Sequence, residues 1–281
     1  MFDEGEDQDP VAIEINVDAA LLLQHMVGID SYPPVLALLP NIFRIDDRER
    51  VRAVVAEQLA EAGAVIDGRV HPAIEGWLRC LYRPDVELAA RIVTTGRDGE
   101  PKGMLRLSLV RSGEQHVLAL RSDDHVVIQS VFGADSRTDT LTAALAAALG
   151  PAQALRFEPF AAWTEQFDEL PTGQDERRRA LVELGAEPRT AGLLGRVLDE
   201  IVRRAEIVMI EHRDGATTQP EACVSVLDTM SGRIIVTPSM ALDGGIRATC
   251  APGDDTALRA GVAALVDLLP SRNWFETSRV D

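Results

Sequence analysis

The sequence predicts an α+β fold of two related halves, with antiparallel sheets, helices packed on one side of them, and a pseudo-twofold relation between the halves. Three observations predict it. Apolar residues alternate at strand spacing in several runs, they recur at helical spacing in others, and the same turn motifs return in the same order further along the chain. With 281 residues, 46% of them hydrophobic, the chain is long enough to bury a sizeable core.

An N-terminal half is expected over residues 11–151, preceded by a disordered acidic tail at 1–10. Alternation over 13–17 predicts a half-buried strand. Asp18 is positioned to cap the helix that follows, and Gly28 to end it. The same two periodicities predict the other elements of this half, which are helices at about 47–62, 72–82 and 138–149 and strands at about 85–95, 103–111, 115–121 and 125–132.

The rest of the chain divides into a helical connector at 152–188 and a C-terminal half at 189–275, so that 11–275 form a single globular domain. In the connector, four aromatic residues recur at helical spacing, which favours a place in the core over a binding face. They are Phe157, Phe160, Trp163 and Phe167. The apolar stripe that follows predicts a helix that continues to Arg203.

The turn motifs of the first half recur in the second at offsets of 116 to 119 residues. Arg-Asp-Gly at 97–99 returns at 213–215, Ser-Gly at 112–113 returns at 231–232, and Asp-Thr at 139–140 returns at 255–256. Each match alone is weak, because turns favour these residues everywhere. Their common order and near-constant offset indicate an internal duplication, so residues 71–151 and 189–270 are expected to superpose.

The charge of the chain is strongly one-sided, with a net value of −17. A polyanion repels phosphate backbones and anionic lipids, so neither nucleic acid nor membrane insertion is expected. The first ten residues carry five acids and no base, which is incompatible with a signal peptide. No apolar run approaches the ~20 residues that span a bilayer. These features predict a cytoplasmic protein.

The three cysteines, Cys80, Cys223 and Cys250, each lie in an apolar run. Their number is odd and no CxxC pair occurs. This pattern is typical of buried thiols in a reducing compartment rather than of a disulfide framework. The sequence therefore predicts no disulfide, and slow reaction of all three thiols with a reagent in the native protein.

No familiar catalytic or ligand-binding motif is present in the sequence, neither GxSxG, HExxH, a Walker A loop nor GxGxxG. His-Arg-Asp-Gly at 212–215 resembles a kinase catalytic loop, but Gln219 stands where that loop needs Asn, so a hairpin turn is expected. Ser-Asp-Asp-His at 122–125 is expected to form a solvated turn rather than a metal site, and Asp254 to cap a helix. No catalytic, cofactor-binding or metal-binding residue is predicted, and the chain is expected not to be an enzyme.

One loop is a candidate binding element. The segment TGRDGEPKG is longer than a tight hairpin needs, carries charges of both signs and contains three glycines. Loops on rigid sheets commonly carry recognition, although a plain surface hairpin explains the same composition. Its candidate partner-binding residues are Thr95, Gly96, Arg97, Asp98, Gly99, Glu100 and Lys102.

Three stretches resemble the EspG family of ESX secretion-associated proteins, which are actinobacterial type VII secretion chaperones. They are RPDVELAARIV at 83–93, GEQHVLALRSDDHVVI at 113–128 and GRIIVTPSMALDGGIRATCAPGDDTALRAGVAALVDLLP at 232–270. The similarity runs over about 11–275 and rests on the order of the motifs, on the repeat and on the C-terminal block.

The resemblance implies a non-enzymatic cytoplasmic chaperone without a cofactor, in which two related halves surround a central antiparallel sheet. Family members bind PE–PPE heterodimers by the apolar tip of the PPE subunit, keep the pair soluble and direct it to the cognate ESX machine. The loop between the second and third strands, one contact region of the family, maps onto Thr95–Lys102. Another region maps loosely onto the closing helix after Asp254. A monomer or a weak homodimer is expected.

Two other functions remain open at this point. The first is a small-ligand-binding protein or an enzyme with a site between the two halves, where pockets tend to form. The second is a self-associating structural protein. A small-ligand site needs a convergent set of polar residues, which the sequence does not display. A chaperone needs a concave surface with apolar anchors and a polar rim.

Overall fold

The computed structural model describes residues 9–40, 45–96, 99–131 and 138–279. The helices in these ranges are α1 (Val17–Val27), α2 (Ile45–Glu61), α3 (Pro72–Tyr82), α4 (Thr138–Leu149), α5 (Thr164–Asp168), α6 (Gln174–Glu183), α7 (Pro188–Val197) and α8 (Asp255–Leu268), with single 3₁₀ turns at Pro34–Leu36 and Leu198–Glu200. The strands are β1 (Ala12–Asn16), β2 (Val65–Ile66), β3 (Arg69–Val70), β4 (Val86–Thr95), β5 (Pro101–Ser112), β6 (Gln115–Ser122), β7 (His125–Ser130), β8 (Phe160–Trp163), β9 (Ile201–Arg213), β10 (Ala216–Thr218), β11 (Val224–Thr229), β12 (Gly232–Met240) and β13 (Ile246–Pro252).

One antiparallel sheet contains all of these strands except β2 and β3, which form a separate hairpin. Its order is β1-β7-β6-β5-β4-β9-β11-β12-β13-β8, and β10 pairs with β9 outside this path. At the centre, β4 pairs with β9, with Ala90 opposite Ile207. The predicted α+β class is confirmed, and it takes the form of one continuous sheet to which both halves contribute.

The two halves have the same order of elements on either side of the central pair of strands. In the first half, α3 precedes the meander β4-β5-β6-β7 and α4 follows it. In the second half, α7 precedes β9-β11-β12-β13 and α8 follows it. The repeated turn motifs lead one to expect such an order. The superposition of 71–151 on 189–270, the duplication itself and the predicted domain boundaries stay predictions.

The sequence analysis predicts helices on one side of the sheet. In the structure the helices lie on both faces. On one face, here called the covered face, α4 and α8 pack across both halves over side chains such as Leu88 and Ile207. The other face carries α1, α2 and α3 at one end and α6 and α7 at the opposite end. The strands are apolar on both faces: Val117 and Leu118 are neighbours on β6, and both are buried, in different clusters.

The start of α1 differs from the prediction. The helix begins at Val17, and its N-cap is Asn16, whose Oδ1 accepts a hydrogen bond of 2.8 Å from the backbone N–H of Ala19. Asp18, the predicted cap, lies in the first turn, where its negative charge complements the helix dipole. Gly28 ends the helix as predicted, with a left-handed φ of 71°.

The predicted helical connector contains a strand, and the helix after it ends sooner than predicted. β8 pairs along β13, with Phe160 opposite Cys250, and so satisfies backbone groups at the edge of that strand. α7 ends at Val197, and Ile201 begins β9 where a helix to Arg203 was predicted. The pairing of β9 with β4 explains this, because it satisfies the backbone of residues that periodicity alone assigned to a helix.

A buried ion cluster ties the end of α4 to the C-terminal half. Asp228 on β11 accepts hydrogen bonds from Arg233, at 2.6 and 3.0 Å, and from Arg203, at 2.8 Å. Both guanidinium groups also donate to the backbone carbonyl of Leu149, the last residue of α4. Burial raises the pKa of Asp228, but the two arginines more than offset this and hold the pKa below its usual range.

The C-terminal residues fold back onto the N-terminal half. Trp274 is fully buried, and its indole N–H donates to Nε2 of His116 at 3.1 Å. Arg111, which is buried on β5, donates to the backbone carbonyls of Trp274 and Thr277. Because Trp274 belongs to the same apolar cluster as α4 and α8, this segment helps to close the covered face.

All three cysteines are free thiols, but their exposure differs from the prediction. Cys80 and Cys250 are buried, and burial raises the pKa of each thiol to about 12. Cys223 is exposed, because it lies in the loop that leads into β11, one residue before the strand begins. The expected burial is therefore confirmed for Cys80 and Cys250 and wrong for Cys223, and slow reaction stays a prediction for the two buried thiols.

Candidate partner-binding surface

One face of the sheet is open in its middle, between the helices at its two ends; we call this region the open face. Along β9, Ile207 and Met209 are buried under α4 and α8. The residues that alternate with them, Glu206, Val208 and Ile210, lie on the open side of the sheet. A sheet flanked by helices at both ends forms a concave surface. Concave, largely preformed surfaces are where other molecules bind.

The C-terminal half of the open face is a cleft of about 700 Å³. Its floor is formed by β9 and β11–β13, and its wall by α5–α7. Apolar side chains dominate the lining, among them Phe167, Leu170, Leu198, Val208 and Val236. Arg204 and Glu206, both exposed, bring charge to its edge. An apolar floor with a charged rim is the usual anatomy of a protein–protein interface.

A buried arginine holds the wall of the cleft together. Arg177 on α6 donates to Oδ1 of Asp199 at 2.7 Å and to the backbone carbonyls of Pro171 and Gly195 at 2.9 and 3.0 Å. Hydrogen bonds from Arg177 and then from Gln174 lower the pKa of Asp199 below its usual value. These bonds connect α6, the loop before it and the end of α7, so the cleft has a preformed wall.

The cleft continues into a groove of about 540 Å³ at the junction of the two halves. Glu206 and Val208 line both of them. The floor of the groove combines the small side chain of Ala89 with the charged groups of Arg91 and Arg106. It lies where the alternative small-ligand site was predicted, between the two halves.

The aromatic residues of the predicted connector divide between core and surface. Phe160 is buried, its ring centroid lies 5.6 Å from that of Phe167, and both side chains line the cleft. Trp163 is 38% exposed, with the guanidinium of Arg247 5.6 Å from its ring centroid. The predicted core position is right for Phe160 and wrong for Trp163. Strand period decides this, because residues an odd number apart on β8 point to opposite faces.

The predicted contact loop is shorter than the sequence suggested. β4 extends to Thr95 and β5 begins at Pro101, and these two residues pair across a register shift. The backbone N–H of Gly96 donates to the carbonyl of Glu100 at 2.8 Å and closes the turn. Gly99 has a φ of 79°, a conformation that favours glycine. Gly96 and Gly99 therefore serve the turn, whereas Gly103 lies within β5.

Of the other predicted contact residues, Arg97 and Asp98 lie outside the described residues, and Lys102 is exposed on β5. The pairing of Thr94 with Arg203 places the loop at the end of the sheet where β9 begins. The cleft lining starts at the same end of β9. The two ends of the loop and the start of the cleft lining therefore lie toward the same end of β9, and the role of the loop as a contact stays a prediction.

The closing helix, the second predicted contact region, lies on the other side of the sheet from the cleft. Asp254 caps α8 as predicted, and its Oδ1 accepts a hydrogen bond of 2.9 Å from the backbone N–H of Ala257. Leu258, Val262 and Leu265 are buried in the cluster of the covered face. The wall of the cleft is formed instead by α5–α7. The cluster of aromatic residues at 157–167 is the feature of the sequence that marks the start of this region.

The two motifs with a possible catalytic interpretation form turns. His-Arg-Asp-Gly lies at the hairpin between β9 and β10, and Ser-Asp-Asp-His lies at the turn between β6 and β7, where Asp123 has a φ of 51°. Within the described residues, no group of three or more His, Cys, Asp or Glu side chains could hold a metal ion. In the same part of the chain, no helix is both long enough and apolar enough to cross a membrane.

The large antiparallel sheet with helices on both faces is a fold that this chain shares with a solved type VII secretion system chaperone. The structure of EspG5 from Mycobacterium tuberculosis, solved in complex with a PE25–PPE41 dimer, matches with a TM-score of 0.78, covering 95% of this chain and 100% of that chain at 20% sequence identity. The chain belongs to the EspG family, whose sequence profile matches residues 16–264. The resemblance stated from the sequence is confirmed.

Two relatives cover nearly the whole chain. ESX-1 secretion-associated protein EspG1 of Mycobacterium marinum is 30% identical over 275 residues, which are 97% of this chain and 94% of that protein. ESX-3 secretion-associated protein EspG3 of Mycolicibacterium smegmatis is 32% identical over 270 residues, 95% of this chain and 90% of that protein. Both relatives are named as secretion-associated proteins.

Proposed function

We propose that this chain is a cytoplasmic chaperone of type VII (ESX) secretion, which binds the helical tip of the PPE subunit in a PE–PPE heterodimer. It keeps the pair soluble and directs it to the cognate ESX machine, without catalysis and without a cofactor. The observation that carries the proposal is a preformed apolar cleft on the open face of a fold shared with EspG5, which was solved in complex with a PE25–PPE41 dimer.

The chemistry of the cleft supports this function. An exposed apolar helix end promotes aggregation, and a chaperone that masks it needs a concave apolar surface. Phe167, Val208 and Val236 supply apolar contacts within the cleft, and Arg204 and Glu206 bring charge to its rim. The net charge of −17 favours solubility of the complex.

We also propose that the loop Thr95–Lys102 forms part of the rim around the bound tip. The strand β4 that leads into it ends near the start of β9, where the cleft lining also starts, and its sequence carries both signs of charge. Charges at an interface rim set orientation and association rate more than affinity.

Replacement of Gly96–Glu100 by a two-residue Asn-Gly turn is expected to weaken binding by more than about 1 kcal/mol, while the fold is retained. The fold is retained because Thr95 and Pro101 already pair across the loop. The measurement is co-purification with a co-expressed PE–PPE pair from the same genome, followed by a Kd for each chain.

Asp214→Asn is the control for this loop replacement. It places an Asn-Gly turn in the equivalent Arg-Asp-Gly motif of the second half, between β9 and β10. It is expected to leave binding unchanged. A wild-type chain that captures no PE–PPE pair would contradict the proposed function, and capture unaffected by the loop replacement would contradict the role of the loop alone.

A further inference from the structure

Three arginines lie side by side on the open face, and we call them the arginine row. Arg91 on β4 pairs in register with Arg106 on β5, and Arg106 pairs with Arg121 on β6. Neighbouring strands are about 4.8 Å apart, so the three side chains start within about 10 Å of one another. Like charges directly opposite each other on neighbouring strands are destabilising. A local conflict of this kind is expected at functional sites.

Each arginine of the row has a contact within the chain, but these contacts do not remove the repulsion between the neighbouring guanidinium groups. Arg121 and Arg106 donate to backbone carbonyls of the segment 35–37. Arg91 is 57% exposed and reaches Glu206 at 3.4 Å. Burial lowers the pKa of Arg106, and the charges of Arg121 and Arg91 lower it further. A carboxylate that enters from outside would therefore relieve an existing repulsion.

Two members of the arginine row face the groove that continues from the cleft. Arg91 and Arg106 line this groove, and Pro34 and Val35 border it on the side of the N-terminal half. Glu206, in register with Arg91, lines both the groove and the cleft. In the proposed docking, a helical tip whose apolar end occupies the cleft extends over the groove that Arg91 and Arg106 line.

We infer that the arginine row binds an acidic side chain of the docked PE–PPE pair and so sets the orientation in which the apolar tip enters the cleft. The inference rests on the proposed function and adds to it the recognition of a carboxylate at a defined place. Guanidinium groups suit this task, because their planar fork of donors matches a carboxylate. Charge pairs across an interface fix register and association rate, and close pairs add affinity.

Reversal of the Arg91 charge tests the inference against a matched control. Arg91 and Arg259 each belong to an exposed ion pair, and their side chains are 57% and 58% exposed. Arg259, however, lies on α8, on the covered face, where it contacts Asp139. Arg91→Glu and Arg259→Glu change the net charge equally, so a general charge effect would appear in both variants.

The probe is a PE–PPE pair from the same genome that co-purifies with the wild-type chain. At low salt, Arg91→Glu is expected to raise the Kd at least about tenfold, and Arg259→Glu less than about twofold. The difference between them is expected to shrink at high salt. Arg91→Gln, a milder change, is expected to give an intermediate loss. Mutation of one acid at the PPE tip to arginine is expected to restore binding to Arg91→Glu.

The outcomes separate this inference from the proposed function. If the wild-type chain captures the pair and Arg91→Glu binds as tightly as Arg259→Glu, the arginine row does not recognise the partner and the proposed function stands. Failure of every acid-to-arginine change at the PPE tip to restore binding also overturns the inference. If the wild-type chain captures no pair, both the proposed function and the inference fail.

Discussion

Replacement of Asp228 by alanine is expected to lower the free energy of unfolding by about 3–5 kcal/mol. The change leaves the guanidinium groups of Arg203 and Arg233 without their carboxylate, in a site where these side chains are 27% and 8% exposed. Removal of one partner of a buried ion pair is costly because the remaining charge is neither hydrated nor paired. Urea unfolding followed by circular dichroism measures the loss.

Asp214→Ala is the control for Asp228→Ala. Asp214 also lies between two arginines, Arg83 at 2.9 Å and Arg279 at 3.5 Å, but its side chain is 53% exposed. Its replacement is expected to lower the free energy of unfolding by less than about 1 kcal/mol, because exposed ion pairs contribute little. Equal losses from the two variants would contradict the role assigned to burial.

The pH dependence gives the Asp228 cluster a second readout. Because the pKa of Asp228 is lowered in the folded protein, its contribution is present above the unfolded value of about 3.9 and is lost as the pH falls through the lower folded pKa. The difference in unfolding free energy between wild type and Asp228→Asn is therefore expected to shrink below about pH 4. A difference that stays constant to low pH would contradict this assignment.

Aspartate in place of Val208 is expected to abolish capture of the PE–PPE pair, with a Kd raised at least about 30-fold. Val208 lies on the open face and lines both the cleft and the groove. A carboxylate at this position would replace an apolar contact and lose its hydration beneath a docked apolar tip, which is unfavourable. In the free chain the position is half-buried and borders a cavity, so the fold is expected to survive.

Val54→Asp is the control for Val208→Asp. Val54 is 54% exposed on α2, which packs at the end of the sheet formed by the N-terminal half. It lines neither the cleft nor the groove. It is expected to bind like the wild type. Thermal melts of both variants establish that they are folded. Capture by a folded Val208→Asp chain at the wild-type level would exclude the open face as the docking surface.

The regular elements of the N-terminal half could be predicted from the sequence because their signals are local. β6 was expected at 115–121 and is observed at Gln115–Ser122, since an apolar run is bounded there by turn residues. α3 was expected to begin at Pro72 and does so. The short strands β2, β3 and β10 were missed because two or three residues are too few to show a period, and β8 was missed because it depends on a distant partner. β8 reads as a helix by periodicity, and it forms a strand because β13, far along the chain, offers it an edge.

The candidate site could be predicted in part. The loop after Thr95 is a candidate because of its glycines and charges, which are visible in the sequence, and its role stays a prediction. The cleft was not found, because its lining comes from segments between Phe160 and Cys250 that meet when the sheet forms. The arginine row was missed for the same reason: Arg91 and Arg106 become neighbours through strand register, which no local pattern reveals.

A cross-link from Cys223 tests most directly whether the partner docks on the open face. Cys223 is exposed and lines both the cleft and the groove, whereas Cys80 and Cys250 are buried, so a photoreactive maleimide should attach at one position. The control carries Arg259→Cys on α8 in a Cys223→Ser background. After capture of a PE–PPE pair and irradiation, we expect a cross-link to the PPE subunit from Cys223 and none from the control. A PPE cross-link from the control and none from Cys223 would contradict the account.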